Sequence, residues 1–320
     1  MSNQSWHDLF CPAREETQGR PDGWVLWLAP AKLNLSLRVV GRRADGYHEI
    51  DSVVAKVTLY DELTFRRRGD AQIHFDCTGL DCGAEQDNLV FRAAGRLREK
   101  GGAFGADIRL TKRIPPGAGL GGGSSDAATA LKALNRLWEL GLAAAELSEL
   151  AAELGSDAPL FLDGPAVRIR GRGERVESLS MHPFHALVYL PELGCPTQQV
   201  YAAYDALRTR PGRARADQPA RPAGPSLWES MLSAGHVAEP PSRWRGEVVN
   251  DLAAAAAEVQ PGVGEVFERL EAATGQPVHL TGSGSAVFML LDGERQARQV
   301  LESVPQDMKA RCRVVLLNSW

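Results

Sequence analysis

The stretch that decides the fold reads PPGAGLGGGSS and covers residues 115–125. Five glycines lie in it, after two prolines and before two serines. Glycine reaches backbone φ angles above zero and lets a ligand approach the main chain. The residues from Ser124 to Leu131 are helix-capping residues followed by alanines and leucine, so the loop is expected to open a helix. Such a loop directs N–H groups and a positive helix end at one place, which favours a phosphate ligand.

Three well-known glycine-loop motifs do not account for this stretch. Gly117, Gly119 and Gly122 match the GxGxxG dinucleotide fingerprint, but no βαβ unit with an acidic strand end follows. The loop lacks the Gly-Lys-Ser/Thr ending of a P-loop. The His-Arg-Asp and Asp-Phe-Gly partners of a protein-kinase loop are also missing. A loop without any ligand is disfavoured, because long loose loops rarely lie between prolines and a capped helix.

Length and composition describe an ordinary globular chain. Its 320 residues allow about two domains, and 44% of them are hydrophobic and 24% charged. The net charge of −4 gives no signal for nucleic-acid binding. No apolar run approaches the roughly 18 residues of a membrane span, and residues 1–22 resemble neither a signal nor a transit peptide. We therefore expect a cytoplasmic monomer or weak homodimer with no membrane and no nucleic-acid partner.

The cysteines predict a reduced protein. Their number is odd and no two of them form a CxxC pair, which argues against a disulfide framework or a zinc site. The five positions are Cys11, Cys77, Cys82, Cys195 and Cys312.

Two polar positions stand out in a first strand predicted over residues 24–40. Leucines alternate there with polar residues, so Lys32 and Asn34 share the face opposite the leucines. For this strand taken alone, a solvated outer face is the favoured explanation of the pattern. Asp157 comes shortly after a helix predicted over residues 144–154, at the start of a short second helix. It is either the simple N-cap of that short helix or a functional carboxylate.

The rest of the chain predicts further strands and helices. Strands are expected at residues 52–58, 62–67, 71–77, 106–113, 167–170, 185–190, 278–281, 286–291 and 312–317. Helices are expected at residues 88–100, 124–140, 144–154, 198–208, 248–259, 263–273 and 294–304, with a short one after Asp157. The domain boundary is expected near residues 171–183. Residues 208–225, with five arginines and four prolines but no aromatic residue, predict a mobile loop rather than a nucleic-acid site.

Three motifs in this order resemble the GHMP kinase superfamily of galactokinase, homoserine kinase, mevalonate kinase and phosphomevalonate kinase. They are PAKLNL at residues 30–35, PPGAGLGGGSS at 115–125 and TGSGS at 281–285. Taken alone, the last motif could equally be a tight β-turn. Four further motifs resemble the 4-diphosphocytidyl-2-C-methyl-D-erythritol kinase family of the non-mevalonate isoprenoid pathway: RADGYH at 43–48, DNL at 87–89, LGSDAP at 154–159 and PT at 196–197. The resemblance runs from about residue 27 to 317, with departures at Ser156 and Ala253, where the family often has Ala and Glu.

The resemblance implies an α+β fold of two domains with the active site between them. It places an extension at residues 1–24, a ribosomal-protein-like, ATP-binding domain at 25–178 and a ferredoxin-like domain at 179–320. Lys32 and Asp157 become the catalytic pair. ATP is expected on Pro115, Pro116, Gly117, Ala118, Gly119, Leu120, Gly121, Gly122, Gly123, Ser124 and Ser125, with Asn88 beside the adenine. A cytidine diphosphate-linked polyol is expected on Asn34, Tyr47, His48, Thr197 and Tyr201, with its cytosine between the two tyrosines.

The resemblance also implies a mechanism. Mg²⁺ bridges the β- and γ-phosphates of ATP, with the Ser124 hydroxyl as a ligand. Asp157 accepts the proton of the substrate alcohol or only orients it, and Lys32 keeps that carboxylate ionised. Two rivals stay open: a homoserine- or mevalonate-type kinase, and an ATP-binding protein without activity. The Tyr47-His48 loop counts against the first, and the presence of both Lys32 and Asp157 counts against the second.

Overall fold

The computed structural model describes residues 23–102, 104–210 and 227–317. Cys11 and most of the predicted extension and Arg/Pro-rich loop therefore lie outside the described residues. The strands are β1 (Val25–Arg42), β2 (His48–Arg68), β3 (Ile73–Gly79), β4 (Gly105–Lys112), β5 (Ala166–Gly171), β6 (Arg175–Met181), β7 (His185–Tyr189), β8 (His236–Val237), β9 (His279–Leu280), β10 (Val287–Leu291) and β11 (Cys312–Leu316). The helices are α1 (Leu89–Glu99), α2 (Gly122–Leu137), α3 (Ala144–Leu154), α4 (Thr197–Thr209), α5 (Leu227–Ser233), α6 (Ala253–Val259), α7 (Pro261–Thr274), α8 (Glu294–Ser303) and α9 (Gln306–Lys309). Every helix in these ranges is too short or too polar to cross a membrane.

The first sheet is built around the long hairpin of β1 and β2. Its strand order is β3-β4-β2-β5-β6-β8, and β1 pairs antiparallel with most of β2, from His48 to Phe65. Helices α1, α2 and α3 pack on this sheet through an apolar core that includes Leu63, Ile108, Leu97, Leu131 and Leu150. Both faces of β1 are covered, since Leu33 and Leu35 are fully buried and Lys32 and Asn34 are only 4% exposed. The polar face of β1 is therefore interior, and the solvated-face explanation is excluded.

The second sheet confirms the ferredoxin-like prediction. Its order is β11-β7-β10-β9, with every neighbouring pair antiparallel. Numbered along the chain, these strands lie in the order 4-1-3-2, and α8 and α9 connect the third to the fourth. A second apolar core joins the two sheets, with Val53 and Val57 of β2 in the same cluster as Val188 of β7 and Phe288 of β10.

Several elements differ from the prediction. The strands predicted at 52–58 and 62–67 are one strand, β2, because it runs on through its pairing with β1. The expected boundary at residues 171–183 contains β6, which pairs with β5 and with the short β8. Helix α2 begins two residues earlier than predicted, at Gly122, and the helix predicted at 248–259 begins only at Ala253. The sequence reasoning missed α5, α9, β6 and β8, whose short apolar patterns carry little periodicity.

The prediction that all cysteines are reduced is wrong for two of them. Cys77, in β3, forms a disulfide with Cys82. Gly79, the last residue of β3, lies between them and has a φ of +90°. Cys195 and Cys312 are free and buried.

Candidate active site

One cavity of about 860 Å³ lies between the two halves of the fold. The PAKLNL strand, the glycine loop, helix α4 and the TGSGS turn all contribute to its wall. The predicted site residues that line it are Lys32, Asn34, Tyr47, His48, Pro115, Pro116, Gly117, Ala118, Gly119, Leu120, Gly121, Gly122, Gly123, Ser124, Asp157, Thr197 and Tyr201. Segments far apart in the sequence are thus gathered around one space.

Lys32 projects into this cavity from β1 and is tightly held. Its Nζ donates a hydrogen bond to Asn34 Oδ1 at 2.5 Å and lies 4.0 Å from Asp157 Oδ2. Asn34 in turn donates from Nδ2 to Ser52 Oγ at 2.8 Å. Burial lowers the pKa of Lys32 below its usual value, and the Asp157 carboxylate opposes that shift. A buried ammonium beside a carboxylate is the arrangement that the predicted catalytic pair requires.

Asp157 is the accessible member of the pair. Its side chain is 37% exposed, against 5% for Lys32, so a ligand in the cavity can reach the carboxylate. It lies after Gly155, which ends α3, and before the 3₁₀ turn Pro159–Leu162. The carboxylate therefore faces the lysine across the base of the cavity.

The glycine loop enters α2 with the backbone geometry that the sequence predicts. Gly117, Gly119 and Gly121 have φ angles of +68°, +78° and +69°, a region that favours glycine. Gly121 caps α2, and Gly122 and Gly123 form its first turn. The helix N-terminus and the loop N–H groups consequently border the cavity, and this arrangement suits an anion.

The TGSGS turn braces the loop from the second half of the fold. A Cβ atom on Gly119 would lie 2.1 Å from Thr281 O, so the two backbones are in direct contact. Thr281 Oγ1 also donates to Gly119 O at 3.2 Å. Ser283 Oγ lies 2.9 Å from Thr197 Oγ1 at the start of α4. These contacts brace the glycine loop from the second half of the fold, so the turn is more than a simple reversal of the chain.

Asn250 holds the same turn from behind. Its Nδ2 donates to Leu280 O at 2.9 Å and to Gly282 O at 2.8 Å. The neighbouring Asp251 accepts the N–H of Val39 in β1 at 2.8 Å. This Asn-Asp pair therefore joins the two sheets, and the sequence reasoning assigned it no role.

The far end of the cavity carries a stacked aromatic pair. The rings of His48 and Tyr201 lie 4.7 Å apart with 26° between their planes. His48 Nε2 is held by Asp205 Oδ1 of α4 at 2.8 Å. Burial raises the pKa of Tyr201 to about 12, with a smaller contribution from the Asp157 carboxylate. His48, rather than Tyr47, is thus the ring in contact with Tyr201.

Tyr47 lies at the cavity mouth. Tyr47 is 58% exposed, and the Arg172 guanidinium lies 4.8 Å from the centre of its ring. Arg42, a second cation of the cavity wall, lies 3.5 Å from the Asp205 carboxylate. Sequence reasoning missed Arg42, Arg172 and Asp205, because nothing in their local sequence distinguishes them from surface charges.

Two predicted ATP contacts have other roles in the structure. Asn88 caps α1, with its Oδ1 accepting the N–H of Val90 at 2.9 Å, and its neighbour Leu89 lines the cavity. Ser125 is fully buried below the loop, where its N–H donates to Gly121 O at 2.9 Å. Their contacts with ATP stay predictions.

Comparison with known proteins identifies the family. The model of the GHMP kinases N terminal domain matches residues 88–164, and that of the GHMP kinases C terminal matches residues 242–310. A 4-diphosphocytidyl-2-C-methyl-D-erythritol kinase of Pelotomaculum thermopropionicum is 40% identical over 85% of this chain and 91% of its own length. The homologous kinase of Chlorobaculum tepidum is 39% identical over 89% and 94%. The chain belongs to the 4-diphosphocytidyl-2-C-methyl-D-erythritol kinase family.

A solved structure of this kinase family agrees with the fold. A crystal structure of 4-(cytidine 5'-diphospho)-2C-methyl-D-erythritol kinase is 38% identical to the chain, with a TM-score of 0.70 over 91% of this chain and 99% of the other. The two-domain GHMP kinase fold and the kinase activity predicted from the sequence are confirmed. ATP as phosphoryl donor follows from membership in the GHMP kinases.

Proposed function

We propose that this chain transfers the γ-phosphoryl group of ATP to the 2-hydroxyl of 4-diphosphocytidyl-2-C-methyl-D-erythritol, releasing ADP and the 2-phosphate. The reaction belongs to the non-mevalonate route to isoprenoid precursors. The observation that carries the proposal is the Lys32–Asp157 pair, which shares one cavity with the glycine loop and the His48–Tyr201 stack. The Lys32–Asp157 pair suits the hydroxyl that accepts the phosphoryl group. The glycine loop suits a triphosphate, and the His48–Tyr201 stack suits a nucleobase.

The residues divide the reaction between them. Phosphoryl transfer needs mainly positioning and charge stabilisation. The glycine loop and the α2 N-terminus bind the phosphates, and Asp157 takes or orients the proton of the substrate hydroxyl. Lys32, held by Asn34, stabilises the oxygen that becomes negative. Arg42 and Arg172 also line the cavity, where cations suit the substrate diphosphate.

The donors present fit Mg²⁺. Ser124 Oγ lies 3.6 Å from the position of a Cβ on Gly155, so the hydroxyl is beside the segment that carries Asp157. A hydroxyl is one of the few protein oxygens that Mg²⁺ takes when phosphates and water complete its shell. The described residues contain no cluster of three His, Cys, Asp or Glu that would hold a metal without ATP. When bound, Mg²⁺ would neutralise charge on the triphosphate, and Ser124 is the residue that would hold it, which leaves Asp157 for the substrate hydroxyl.

Phosphate transfer from ATP tests the proposal. ADP release is measured with the cytidine-linked diphosphate alcohol, mevalonate and homoserine as acceptors, and ³¹P NMR locates the new phosphate. Turnover with the cytidine-linked alcohol alone, yielding a phosphate monoester at the 2-position, is the expected result. Preference for either of the other acceptors would assign the chain to another GHMP kinase, and ATP binding without turnover would indicate a non-enzymatic protein. The cytoplasmic location, the monomeric or weakly dimeric state and the domain division at residue 178 stay predictions.

Removing the Tyr201 ring is expected to weaken substrate binding alone. Base-on-aromatic stacking contributes about 1–3 kcal/mol, so Tyr201→Leu should raise the KM for the cytidine-linked substrate by about tenfold or more. Tyr201→Phe is the matched control, because it keeps the ring and should stay near the wild-type KM. The KM for ATP is measured for both variants. A rise in the KM for ATP with an unchanged substrate KM would mean that the two ligand sites are exchanged.

A further inference from the structure

Three charged side chains from different elements meet in the interior below the glycine loop. They are Asp61 of β2, Lys112 of β4 and Asp126 of α2, with side-chain exposures of 0%, 5% and 3%. Lys112 Nζ donates to Asp61 Oδ2 and, at 2.7 Å, to Asp126 Oδ2. We call this group the buried triad. Well-packed apolar residues often stabilise a fold as much as a buried ion pair does, so stability alone does not account for it.

The buried triad contacts both ends of the glycine loop. Asp61 Oδ1 accepts the N–H groups of Arg113 and Ile114 at 2.5 and 2.8 Å, directly before the loop begins at Pro115. At the other end, Asp126 lies in the first two turns of α2.

The middle of the loop is equally close to the triad. A Cβ atom on Gly122 would lie 2.8 Å from Lys112 Nζ, so the loop backbone rests directly on the ammonium group. One hydrogen-bonded cluster thus sets where the loop starts, where it ends and how deep it lies.

We propose that Asp61, Lys112 and Asp126 are positioning residues that hold the glycine loop in its phosphate-binding shape. This inference rests on the proposed function, because it takes the loop to be the site of ATP phosphates. None of the three residues is required to touch the nucleotide.

The KM for ATP of a conservative variant tests the triad. Asp126→Asn keeps the size of the side chain and an acceptor for Lys112 but removes the carboxyl group from the cluster. The KM for ATP is expected to rise about threefold at pH 7, while the KM for the cytidine-linked substrate should not change. An unchanged KM for ATP in a folded Asp126→Asn variant would overturn the role of Asp126.

Loss of the triad's hydrogen bonds gives a second readout. Lys112→Met is expected to raise the KM for ATP at pH 7 by about tenfold, since the loop loses its support. The control is Asp107→Asn, in the same strand, which removes a carboxylate that is 9% exposed and pairs with Arg66 and Arg68. It should lower the melting temperature without changing the KM for ATP.

Direct titration with ATP separates the possible failures. If wild-type protein does not bind ATP, the proposed function is wrong. If it binds ATP and Lys112→Met changes the KM for ATP no more than Asp107→Asn does, the triad is only structural and the proposed function stands. Should Lys112→Met not fold, the KM for ATP of Asp126→Asn decides the question.

Discussion

Replacing Asp157 with asparagine is expected to lower kcat by at least about 100-fold while the KM for ATP changes little, because a positioned proton-transfer group contributes about 10²–10⁴-fold. Asparagine keeps the size and a hydrogen-bonding oxygen of the side chain but cannot accept the proton. Lys32→Met should reduce kcat by a similar factor, since it removes the ammonium 4.0 Å from the Asp157 carboxylate. Steady-state kinetics with each substrate varied in turn separates kcat from the two KM values.

Two variants control for the loss of a carboxylate and of a buried lysine. Asp163→Asn changes an exposed carboxylate six residues after Asp157, and its turnover should equal that of wild type. Lys56→Met removes a buried lysine that is 3% exposed. Lys56 lies opposite Lys32 in the register of β1 and β2, but it does not line the cavity. It should affect stability more than kcat. An Asp157→Asn variant with less than about a fivefold loss of kcat would mean that the carboxylate only orients the hydroxyl.

The second large effect is expected at Gly119. Its φ of +78° is strained for alanine, and a Cβ atom there would lie 2.1 Å from Thr281 O and 3.1 Å from Gly284 N. Gly119→Ala must therefore push the glycine loop away from the TGSGS turn. We expect the KM for ATP to rise by about tenfold or more and the free energy of unfolding to fall by about 1–3 kcal/mol.

Gly141→Ala separates strain from contact. Gly141 has a similar φ of +67°, but nothing lies within 4 Å of the Cβ position. Its alanine variant should lose stability through backbone strain and keep the wild-type KM for ATP. Chemical denaturation and ATP titration of both variants measure the two effects. If Gly119→Ala changes ATP binding no more than Gly141→Ala does, the contact between loop and turn is not needed for nucleotide binding.

The aromatic end of the cavity shows where sequence reasoning reached its limit. The motifs assigned Tyr47, His48 and Tyr201 to one site, and all three residues line the cavity. They predicted cytosine between two tyrosines, whereas the structure stacks His48 on Tyr201 and leaves Tyr47 exposed beside Arg172. The position of each ring depends on the rotamer that its neighbours allow, and those neighbours come from distant segments. The tyrosine slot for cytosine therefore stays a prediction.

The sequence by itself determined the features that depend on short stretches of chain. The PPGAGLGGGSS run predicted an anion-binding loop that opens a helix, because glycine at alternate positions permits the φ angles that Gly117, Gly119 and Gly121 adopt. The alternation in β1 placed Lys32 and Asn34 on one face, and their side chains are hydrogen-bonded to each other. Periodicity also located α1, α3 and α4 to within a few residues.

Only the tertiary structure decided the contacts between distant segments. The buried triad joins residues 61, 112 and 126, and Asp205 reaches His48 across 157 positions. Whether the polar face of β1 is solvated also depends on what packs against it, and the glycine loop and the TGSGS turn lie against Lys32 and Asn34. A carboxylate in an ordinary helix has the same local sequence whether it faces water or a lysine. Its role is set by burial and by partners that the chain brings together only on folding, which is why the triad, Asp205 and Asn250 could not be read from the sequence.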